Sequence, residues 1–573
     1  MKSTLTAEPQ VLAPDRYRTL ARVGVLVPVL CFALLLWTYA VNIPWMDDFD
    51  AFFRFMINYA DGKTVGDKIY WLLAPNNEHR ILTAKLATLA LYNLTGEVNF
   101  RWLIFVAYGF QFGIFAIVYR VFRSMKLPLI AFVPVAFIFW QPQYHLTSVW
   151  ALTGLQHEVS IFEILLSIYL LSANERNRFG AAVGVQLLAS MSMGNGVFGW
   201  VAGAVVLFVQ RQWLRLGIWL VMAAAAIKFY FHDFPDLQGN ESSVDFFLKY
   251  PYLVFSGFFT FSGALMDFLP DAPIFWRSVL PTLFGLVIIP IMVWLLWRMN
   301  WPLWQNSRAP MTPAQRRRYF FTGCYAFLMV NAVIIAFLRP RMGYWVMMVS
   351  NYMIYPAVLT VLIYLNGLSE LSATKVPTRW LRIGLGLGLV VWTLSYTVHW
   401  PKVAFRKQML LTSAFNHRLN DIGLGPSWGT PFADFARQIM RETMKRGLYH
   451  YPEGYFSPYE TQIRQAAAVP TEPALSIRLN KGGYSTLADL PPGSLPEPIG
   501  QGAVLVQSDR HVFLFPSESP FTFGAFYLNR PVQEVQGEIL NATLAPGTYR
   551  VGVLAPPGNG RPIRISNQRL SFP

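Results

Sequence analysis

The sequence predicts a mainly α-helical, polytopic membrane protein whose C-terminal part lies outside the membrane, as an α+β region that ends in a small β-sandwich. Of its 573 residues, 54% are hydrophobic and only 14% are charged, too few charges to coat several soluble domains. Apolar runs about as long as a bilayer-crossing helix recur up to Trp400. Beyond it the composition changes, and from about residue 472 short alternating runs are separated by Pro and Gly.

The first apolar run follows a polar leader of about 22 residues and contains about 20 residues, VGVLVPVLCFALLLWTYAV. It is long enough to cross a bilayer and lacks a small-residue cleavage motif, so we interpret it as a retained first span. The two cysteines, Cys31 and Cys324, lie within apolar runs. This position argues against a disulfide framework and against a cysteine metal site.

The remaining apolar runs of the membrane part lie at about 102–119, 127–143, 155–173, 179–193, 197–210, 216–231, 251–268, 278–298, 319–338, 344–365 and 380–399. Short loops rich in Lys and Arg mark the cytoplasmic side of a membrane protein. All loops rich in Lys and Arg lie on the same side of the membrane if the run 251–268 does not cross the bilayer and is instead a re-entrant or interfacial segment. We therefore expect about eleven crossings, a cytoplasmic N-terminus and an extracytoplasmic C-terminal domain.

The net charge of +16 comes largely from these predicted cytoplasmic loops. None of the long soluble segments carries a basic face, which excludes nucleic acid as a partner. We expect three parts: a membrane domain at 1–400, a helical connecting region at 401–470 and a β-rich domain at 471–573. The membrane domain includes a large first outer loop at 42–100.

The first outer loop opens with NIPWMDDFDAF, which places Asp47, Asp48 and Asp50 just outside the first span. Adjacent residues in a turning segment point to different sides, so one of Asp47 and Asp48 is expected to face a cleft. A carboxylate there can act as a general base toward an attacking hydroxyl or amine. It can also hold a divalent cation, which prefers oxygen ligands. The alternative is a solvated acidic loop that helps to fix the span.

The same loop carries LLAPNNEHRILTAKL at 72–86, which opens a predicted amphipathic helix along the membrane interface. We expect Asn76 or Asn77 to cap this helix. Glu78 can assist the acid pair, and Asp48 with Glu78 are the candidate metal ligands. The candidate substrate-binding residues of this loop are Glu78, His79, Arg80 and Lys85, of which the two cations, Arg80 and Lys85, suit a phosphate. Capping and an exposed salt-bridge face are the alternative explanation.

Two later outer segments supply further candidate substrate-binding residues. Arg339 and Arg341, in FLRPRMGYW, follow a span at its outer end, against the positive-inside trend. A pair of guanidinium groups suits a lipid-linked phosphate, although snorkelling to headgroups would also explain them. His157 lies near the outer end of another span, as a substrate contact or a structural hydrogen bonder. The acidic loop 232–250 is either a lid or a hydrated connector.

An acidic pair directly after the first transmembrane helix, in a large outer loop with an interfacial helix, resembles the GT-C superfamily of polytopic membrane glycosyltransferases. The Asn-Glu-His-Arg stretch at 77–80 resembles bacterial members. The resemblance implies a bacterial inner-membrane enzyme with a polyprenyl-phosphate-linked sugar donor and a glycan, lipid or protein acceptor. It implies Asp47 or Asp48 as the catalytic base. Superfamily members differ in their need for a divalent cation, so Mg²⁺ or Mn²⁺ is an optional cofactor.

The predicted reaction is therefore an inverting transfer of a sugar on the outer side of the membrane. One alternative is a lipid-linked sugar flippase or transporter, which requires functional charges near the bilayer midplane. A second is an O-antigen polymerase or ligase, which relies on a large later outer loop with arginines. A non-catalytic scaffold is a third. The acids gathered in the first loop favour the transferase.

Overall fold

The structure is a computed structural model that describes residues 17–77, 79–234, 242–305, 311–371, 377–454, 456–491, 502–518, 535–555 and 562–572. Its α-helices are α1 Arg18–Tyr39, α2 Phe55–Asp61, α3 Val65–Leu73, α4 Leu82–Thr95, α5 Phe100–Arg123, α6 Val133–Phe139, α7 His145–Ser148, α8 Ala151–Leu171, α9 Arg176–Ser192, α10 Phe198–Val209, α11 Trp213–Tyr230, α12 Ser243–Lys249, α13 Pro251–Ser262, α14 Ile274–Gln305, α15 Pro313–Leu338, α16 Ile354–Leu371, α17 Thr378–Asn420, α18 Pro431–Lys445 and α19 Glu460–Arg464.

Eight helices in the described part of the chain are long and apolar enough to cross a membrane: α1, α5, α8, α11, α14, α15, α16 and α17. Eight of the eleven predicted crossings thus have a helix of spanning length and composition in the described residues. The runs at 127–143, 179–193 and 197–210 instead form the shorter helices α6, α9 and α10. α13 has 12 residues and is about 18 Å long, too short to cross the bilayer core.

The bundle has two chemically different ends. We call one the loop end, because it carries the segment between α1 and α5, where Asn42 accepts a hydrogen bond from the backbone of Phe100 at 2.8 Å. We call the other the basic end, because Arg317 there donates to Ser124 at 2.9 Å and Arg318 pairs with Glu370 at 2.8 Å. The basic end collects Arg120, Arg123, Arg215, Arg298, Arg316, Arg317 and Arg318. The expectation that these basic segments share one side is therefore confirmed.

Close approach of backbones holds part of the bundle together. In lipid there is little hydrophobic drive between helices, so tight packing over small residues contributes much of the association. Gly263 at the end of α13 and Gly285 in α14 face the partner backbone so closely that a methyl group on either would overlap it. Gly203 in α10 leaves room for the ring of Trp219 in α11 in the same way.

The helix α17 joins the membrane part to the part beyond it. Its 43 residues make it about 65 Å long, and it runs through residue 400, where the composition changes, with Pro401 inside it. At its far end, Asn416 exchanges two hydrogen bonds of 2.8 Å with the backbone of Leu514. Asn420 donates to the carbonyl of Val512 at 2.8 Å. The β-rich part is thereby attached to the loop end.

The C-terminal part is a curled antiparallel sheet. Its strands are β1 Arg478–Lys481, β2 Ser485–Leu490, β3 Ala503–Gln507, β4 Val512–Glu518, β5 Val535–Leu540, β6 Gly547–Leu554 and β7 Ile563–Phe572. They pair in the order β1-β2-β5-β4-β3-β6-β7. β4 pairs first with β3 and then with β5, so it passes from one half of the sheet to the other. Side chains from both halves share one apolar core, which confirms the predicted sandwich-like β domain.

A methyl group at Gly285 tests the α13–α14 contact. We expect Gly285→Ala to lower the midpoint of thermal unfolding by several degrees, because the added Cβ would overlap the carbonyl of Phe259. The matched control is Gly184→Ala in α9, where nothing lies within 4 Å of the new Cβ. Alanine there gains up to about 1 kcal/mol in helix propensity, so its midpoint should stay or rise. Equal midpoints for the two variants would contradict this packing.

Candidate active site

A bent segment after α1 brings Asp48 into the interior. Met46 has a positive φ of 50°, an unusual conformation for a residue with a side chain. Its backbone N–H donates to the carbonyl of Leu424 at 3.0 Å, which ties the bend to the segment after α17. A π-helical turn at Phe49–Arg54 follows, and its phenylalanines Phe49, Phe52 and Phe53 are fully buried. Such turns are frequent at functional sites.

The carboxyl group of Asp48 is buried, with 1% of the residue exposed. Its Oδ2 accepts hydrogen bonds from the backbone of Trp45 at 2.8 Å and from the indole of Trp150 at 3.1 Å. Its Oδ1 is buried and has no hydrogen-bond partner among the described residues. Burial raises the pKa of Asp48 to about 8, against the lowering effect of the two hydrogen bonds. The group is therefore a stronger base than an ordinary aspartate.

Arg406 of α17 stands beside this carboxyl group. Its guanidinium lies 5.4 Å from the ring centroid of Trp150 and within electrostatic reach of Asp48, whose pKa it lowers slightly. The Nε and Nη2 atoms of Arg406 are buried and have no hydrogen-bond partner in the part of the chain that the structure describes. Beside Trp150, one carboxyl oxygen of Asp48 and two N–H groups of Arg406 are thus available to bind a ligand or water.

The three acids of the first loop have different surroundings. Asp47 is exposed and adjoins the buried Asp48, in keeping with the expectation that the two point to different sides. Asp50 pairs with Arg54 at 2.9 Å and accepts a hydrogen bond from the amide of Asn76. The loop is therefore not uniformly solvated, and its second acid is the one held in the interior.

The predicted helix cap at Asn76 or Asn77 is wrong. Asn76 and His79 exchange backbone hydrogen bonds of 2.7 and 2.9 Å across a tight turn, in which Asn77 has a φ of 48°. α4 begins after Ile81, which provides no side-chain cap. The amide of Asn76 is used by Asp50 instead. Glu78, predicted as a helper acid and metal ligand, lies outside the described residues.

Arg80 connects the first loop to the end of α11. Its guanidinium donates to the carbonyls of Leu73, Tyr230 and His232, the second at 2.8 Å. It also lies over the ring of Phe229 at 5.1 Å, and burial lowers its pKa. These internal contacts give Arg80 a positioning role. They do not support the predicted contact between Arg80 and a phosphate. Of the loop 232–250, predicted to be a lid or a connector, the structure describes residues 232–234 and 242–250.

Lys85 likewise forms its contacts inside the protein. Its Nζ donates to the carbonyls of Trp71 at 2.9 Å and Ala74 at 2.7 Å, and lies 5.2 Å from the ring centroid of Phe55. Burial lowers the pKa of Lys85 to about 8. The predicted phosphate contact is again unsupported, because the ammonium group fixes the end of α3 against α4.

His157 belongs to a second polar group that several helices build. Its Nδ1 forms a 3.0 Å hydrogen bond with the hydroxyl of Tyr355, which also accepts from Asn195 at 3.2 Å. Asn195 donates further to Asn331 at 2.8 Å. Trp150, which contacts Asp48, and His157 are seven residues apart, so their backbones lie about 10 Å apart along the axis of α8.

His79 and Arg339 adjoin this second polar group. Both lie within electrostatic reach of His157. The turn at Gly194 approaches His79 so closely that a Cβ on the glycine would stand 3.1 Å from the ring Nδ1. Arg339 ends α15, and Arg341 in the following turn donates to the carbonyl of Leu338 at 3.0 Å. The structure thus brings together three predicted residues, His79, His157 and Arg339.

Sequence reasoning missed Arg406, Tyr355 and Asn331. The first could have been suspected, because the basic stretch PKVAFRK directly follows an apolar run. The other two are polar residues inside or beside apolar runs, where a bilayer gives them no partner, so internal hydrogen bonds were to be expected.

The described residues alone do not complete a divalent-cation site, and Glu78, the second predicted ligand, lies outside them. No group of three or more His, Cys, Asp or Glu side chains among them could hold a metal ion. Asp48, the candidate ligand within the described part, stands beside the guanidinium of Arg406, which disfavours a second cation there. The reaction steps below therefore use only the protein's own groups.

Comparisons with known proteins add little. No protein-family model matches the chain, and no curated protein sequence matches it. The chain is similar to the crystal structure of ArnT from Cupriavidus metallidurans in the apo state, with 13% identity over 92% of this chain and 100% of that chain, at a TM-score of 0.29. At this identity and TM-score the likeness carries no argument about function.

Replacing Asp48 by asparagine tests its burial. The folded protein holds a proton on Asp48 up to about pH 8, whereas the unfolded chain releases it near pH 4, so Asp48 makes the protein less stable as pH rises between these values. We expect Asp48→Asn to be more stable than the wild type, by a difference that grows between pH 5 and pH 8 to a few kcal/mol, on the order of 1.4 kcal/mol per pH unit.

Thermal unfolding at each pH measures this difference, and the matched control is Asp47→Asn. Asp47 is exposed and contributes to the raised pKa of Asp48 only through its charge, so its variant should differ from the wild type much less than Asp48→Asn does. A difference that stays constant with pH for Asp48→Asn would contradict the burial of an ionisable carboxyl.

Proposed function

We propose that this protein is a membrane glycosyltransferase of the GT-C kind, which moves a sugar from a polyprenyl-phosphate-linked donor to an acceptor. One observation carries the proposal. The carboxyl group of Asp48, directly after the first span, is buried with an unpartnered oxygen and a pKa raised to about 8. A carboxylate tuned toward neutral pH is what general-base activation of a hydroxyl or amine requires.

The proposed chemistry is one in-line displacement. Ionised Asp48 takes the proton of the acceptor hydroxyl or amine, while the acceptor atom forms a bond to the anomeric carbon. The bond between that carbon and the phosphate oxygen breaks, and the electron pair leaves with the polyprenyl phosphate. Attack from the side opposite the leaving group inverts the anomeric configuration. Asp47 is the less suited base, because its side chain is exposed to solvent, whereas that of Asp48 is buried beside Arg406.

Guanidinium groups at the loop end suit the leaving phosphate. Arg406 has two buried donors without a described partner close to Asp48, and Arg339 lies near His157. A guanidinium binds phosphate oxygens in a forked geometry and stabilises the negative charge that develops as the bond breaks. We assign Arg406 to the reacting groups and keep Arg339 and Arg341 as donor-binding residues.

We place the loop end and the β domain outside the cytoplasm. The basic end gathers seven arginines, the pattern that marks the cytoplasmic side of membrane proteins. In this orientation a bacterial inner-membrane enzyme would meet a lipid-linked sugar on the outer face. The β domain, attached through α17, would then face the acceptor.

A transfer assay tests the proposal. Purified protein in nanodiscs is given a panel of polyprenyl-phosphate sugars and acceptors, and product is separated by chromatography. We expect Asp48→Asn to lower kcat by about 100- to 10,000-fold, as for loss of a general base. Asp47→Asn is the matched control and should keep most of the activity. Full activity in Asp48→Asn and in the double variant would contradict the proposal.

A lipid-sugar flippase is the second candidate function, favoured by buried acids within α8. Glu163 lies near the middle of this helix, and its carboxylate accepts a 3.2 Å hydrogen bond from Thr83. Intramembrane acids are typical of transport pathways. Translocation of a fluorescent lipid-linked sugar without transfer, lost in Glu163→Gln and kept in Asp48→Asn, would support the flippase and contradict the transferase.

A further inference from the structure

A cavity of about 360 Å³ opens at the basic end, far from the candidate active site. It lies between the ends of α5 and α8 and the beginning of α15. Three arginines line it, Arg120, Arg316 and Arg317. Its other walls combine hydroxyl groups of Ser124, Ser172 and Thr312 with apolar side chains of Val121, Met311 and Phe320.

Arg316 is the least satisfied of the three. Its guanidinium lies 4.6 Å from the ring centroid of Tyr169, which holds it against the cavity wall. Its Nε and Nη2 atoms are buried and have no hydrogen-bond partner among the described residues. The positive-inside trend explains why arginines lie at this end, but it does not explain donors buried without acceptors.

Arg317 faces the same cavity with its position already fixed. Its Nε donates to the hydroxyl of Ser369 at 3.0 Å, and its Nη1 donates to the carbonyl of Ser124 at 2.9 Å. These partners are neutral, so they orient the guanidinium without cancelling its charge. Arg120 is exposed at the rim and adds a third charge.

The acids near the cavity are engaged elsewhere. Glu370 forms a two-pronged pair with Arg318 at 3.0 and 2.8 Å. Glu175, at the rim, pairs with Arg178 at 2.7 Å. The neighbouring segments that the structure does not describe, 306–310 and 372–376, contain no Asp or Glu. Glu370 is within electrostatic reach of Arg317, but both acids are already paired with arginines that do not line the cavity.

The helix that carries two of these arginines increases the need for an anion. Arg316 and Arg317 lie in the first turns of α15, which begins at Pro313 after the cap Thr312. The N-terminus of a helix carries a partial positive charge, so cations there are unfavourable unless an anion is present. An anion in the cavity would meet both the guanidinium groups and this end of the helix.

We propose that this cavity binds a phosphate group carried by the headgroup of an anionic membrane lipid. Guanidinium donors match the oxygens of a phosphate, and basic pockets between helices at a membrane face suit such headgroups. The volume fits a single headgroup, and the apolar wall can receive the start of its acyl chains. The proposal is independent of the transferase function, because the cavity lies at the opposite end of the bundle.

Binding of phosphatidylglycerol to the full chain tests this site. Delipidated protein in a neutral detergent is titrated with phosphatidylglycerol, phosphatidylcholine or inorganic phosphate, and the Kd is read from thermal shift and native mass spectrometry. We expect saturable binding of one phosphatidylglycerol, weakened about tenfold in Arg316→Gln. Arg120→Gln should weaken it less. This second variant changes an exposed side chain and keeps the test valid if Arg316→Gln misfolds.

The matched control is Arg298→Gln, which removes one charge from the same end but outside the cavity. Its Kd should stay within about twofold of the wild type. Equal weakening in all three variants would show diffuse surface attraction and overturn the site. Phosphatidylcholine binding as tight as phosphatidylglycerol, or saturation by inorganic phosphate without lipid binding, would overturn the anionic lipid as its ligand.

Discussion

The hydrocarbon of a bilayer offers no hydrogen-bond partners, so a polar group of the bundle must find its partner inside the protein or at one of its ends. Several polar groups of the described helices follow this constraint, whereas others, such as both carboxylate oxygens of Glu158 in α8, are buried without a hydrogen-bond partner among the described residues. Within α8, His157 bonds to Tyr355 and Glu163 to Thr83. Asn366 of α16 donates to the hydroxyl of Tyr325 at 3.2 Å. Each contact joins different helices, so the polar residues fix how the helices of the bundle meet.

The same constraint separates the two ends. At the basic end, Glu370 is paired with Arg318, and Glu175, which lines the cavity, is paired with Arg178, so neither acid forms an ion pair with Arg316 or Arg317 among the described residues. At the loop end, an acid is buried beside Arg406. In both places a buried charged or polar group keeps hydrogen-bonding capacity that the described chain does not use. Unused capacity of this kind costs folding free energy, and a bound ligand that supplies the missing partner would offset this cost.

Features that depend on neighbouring residues could be predicted from the sequence, whereas contacts between segments far apart in the sequence could not. Apolar runs predicted the long helices, because crossing a bilayer is a local property of about 20 residues. The different surroundings of Asp47 and Asp48 followed from their adjacency. The use of Arg80 and Lys85 could not be predicted, since their partners are backbone carbonyls of other segments. Arg406 was missed because α17 brings it to Asp48 from far along the chain.

The dependence of transfer on pH tests the central claim that buried Asp48 is the general base. kcat/KM of the wild type should rise about tenfold per pH unit and level off near the pKa of Asp48, about 8. The pH dependence of kcat/KM reports the pKa of a group in the free enzyme, so a change of donor should not move the midpoint of the profile. A profile that is already flat from pH 5 upward would show that the base has an ordinary carboxylate pKa, and would contradict the account.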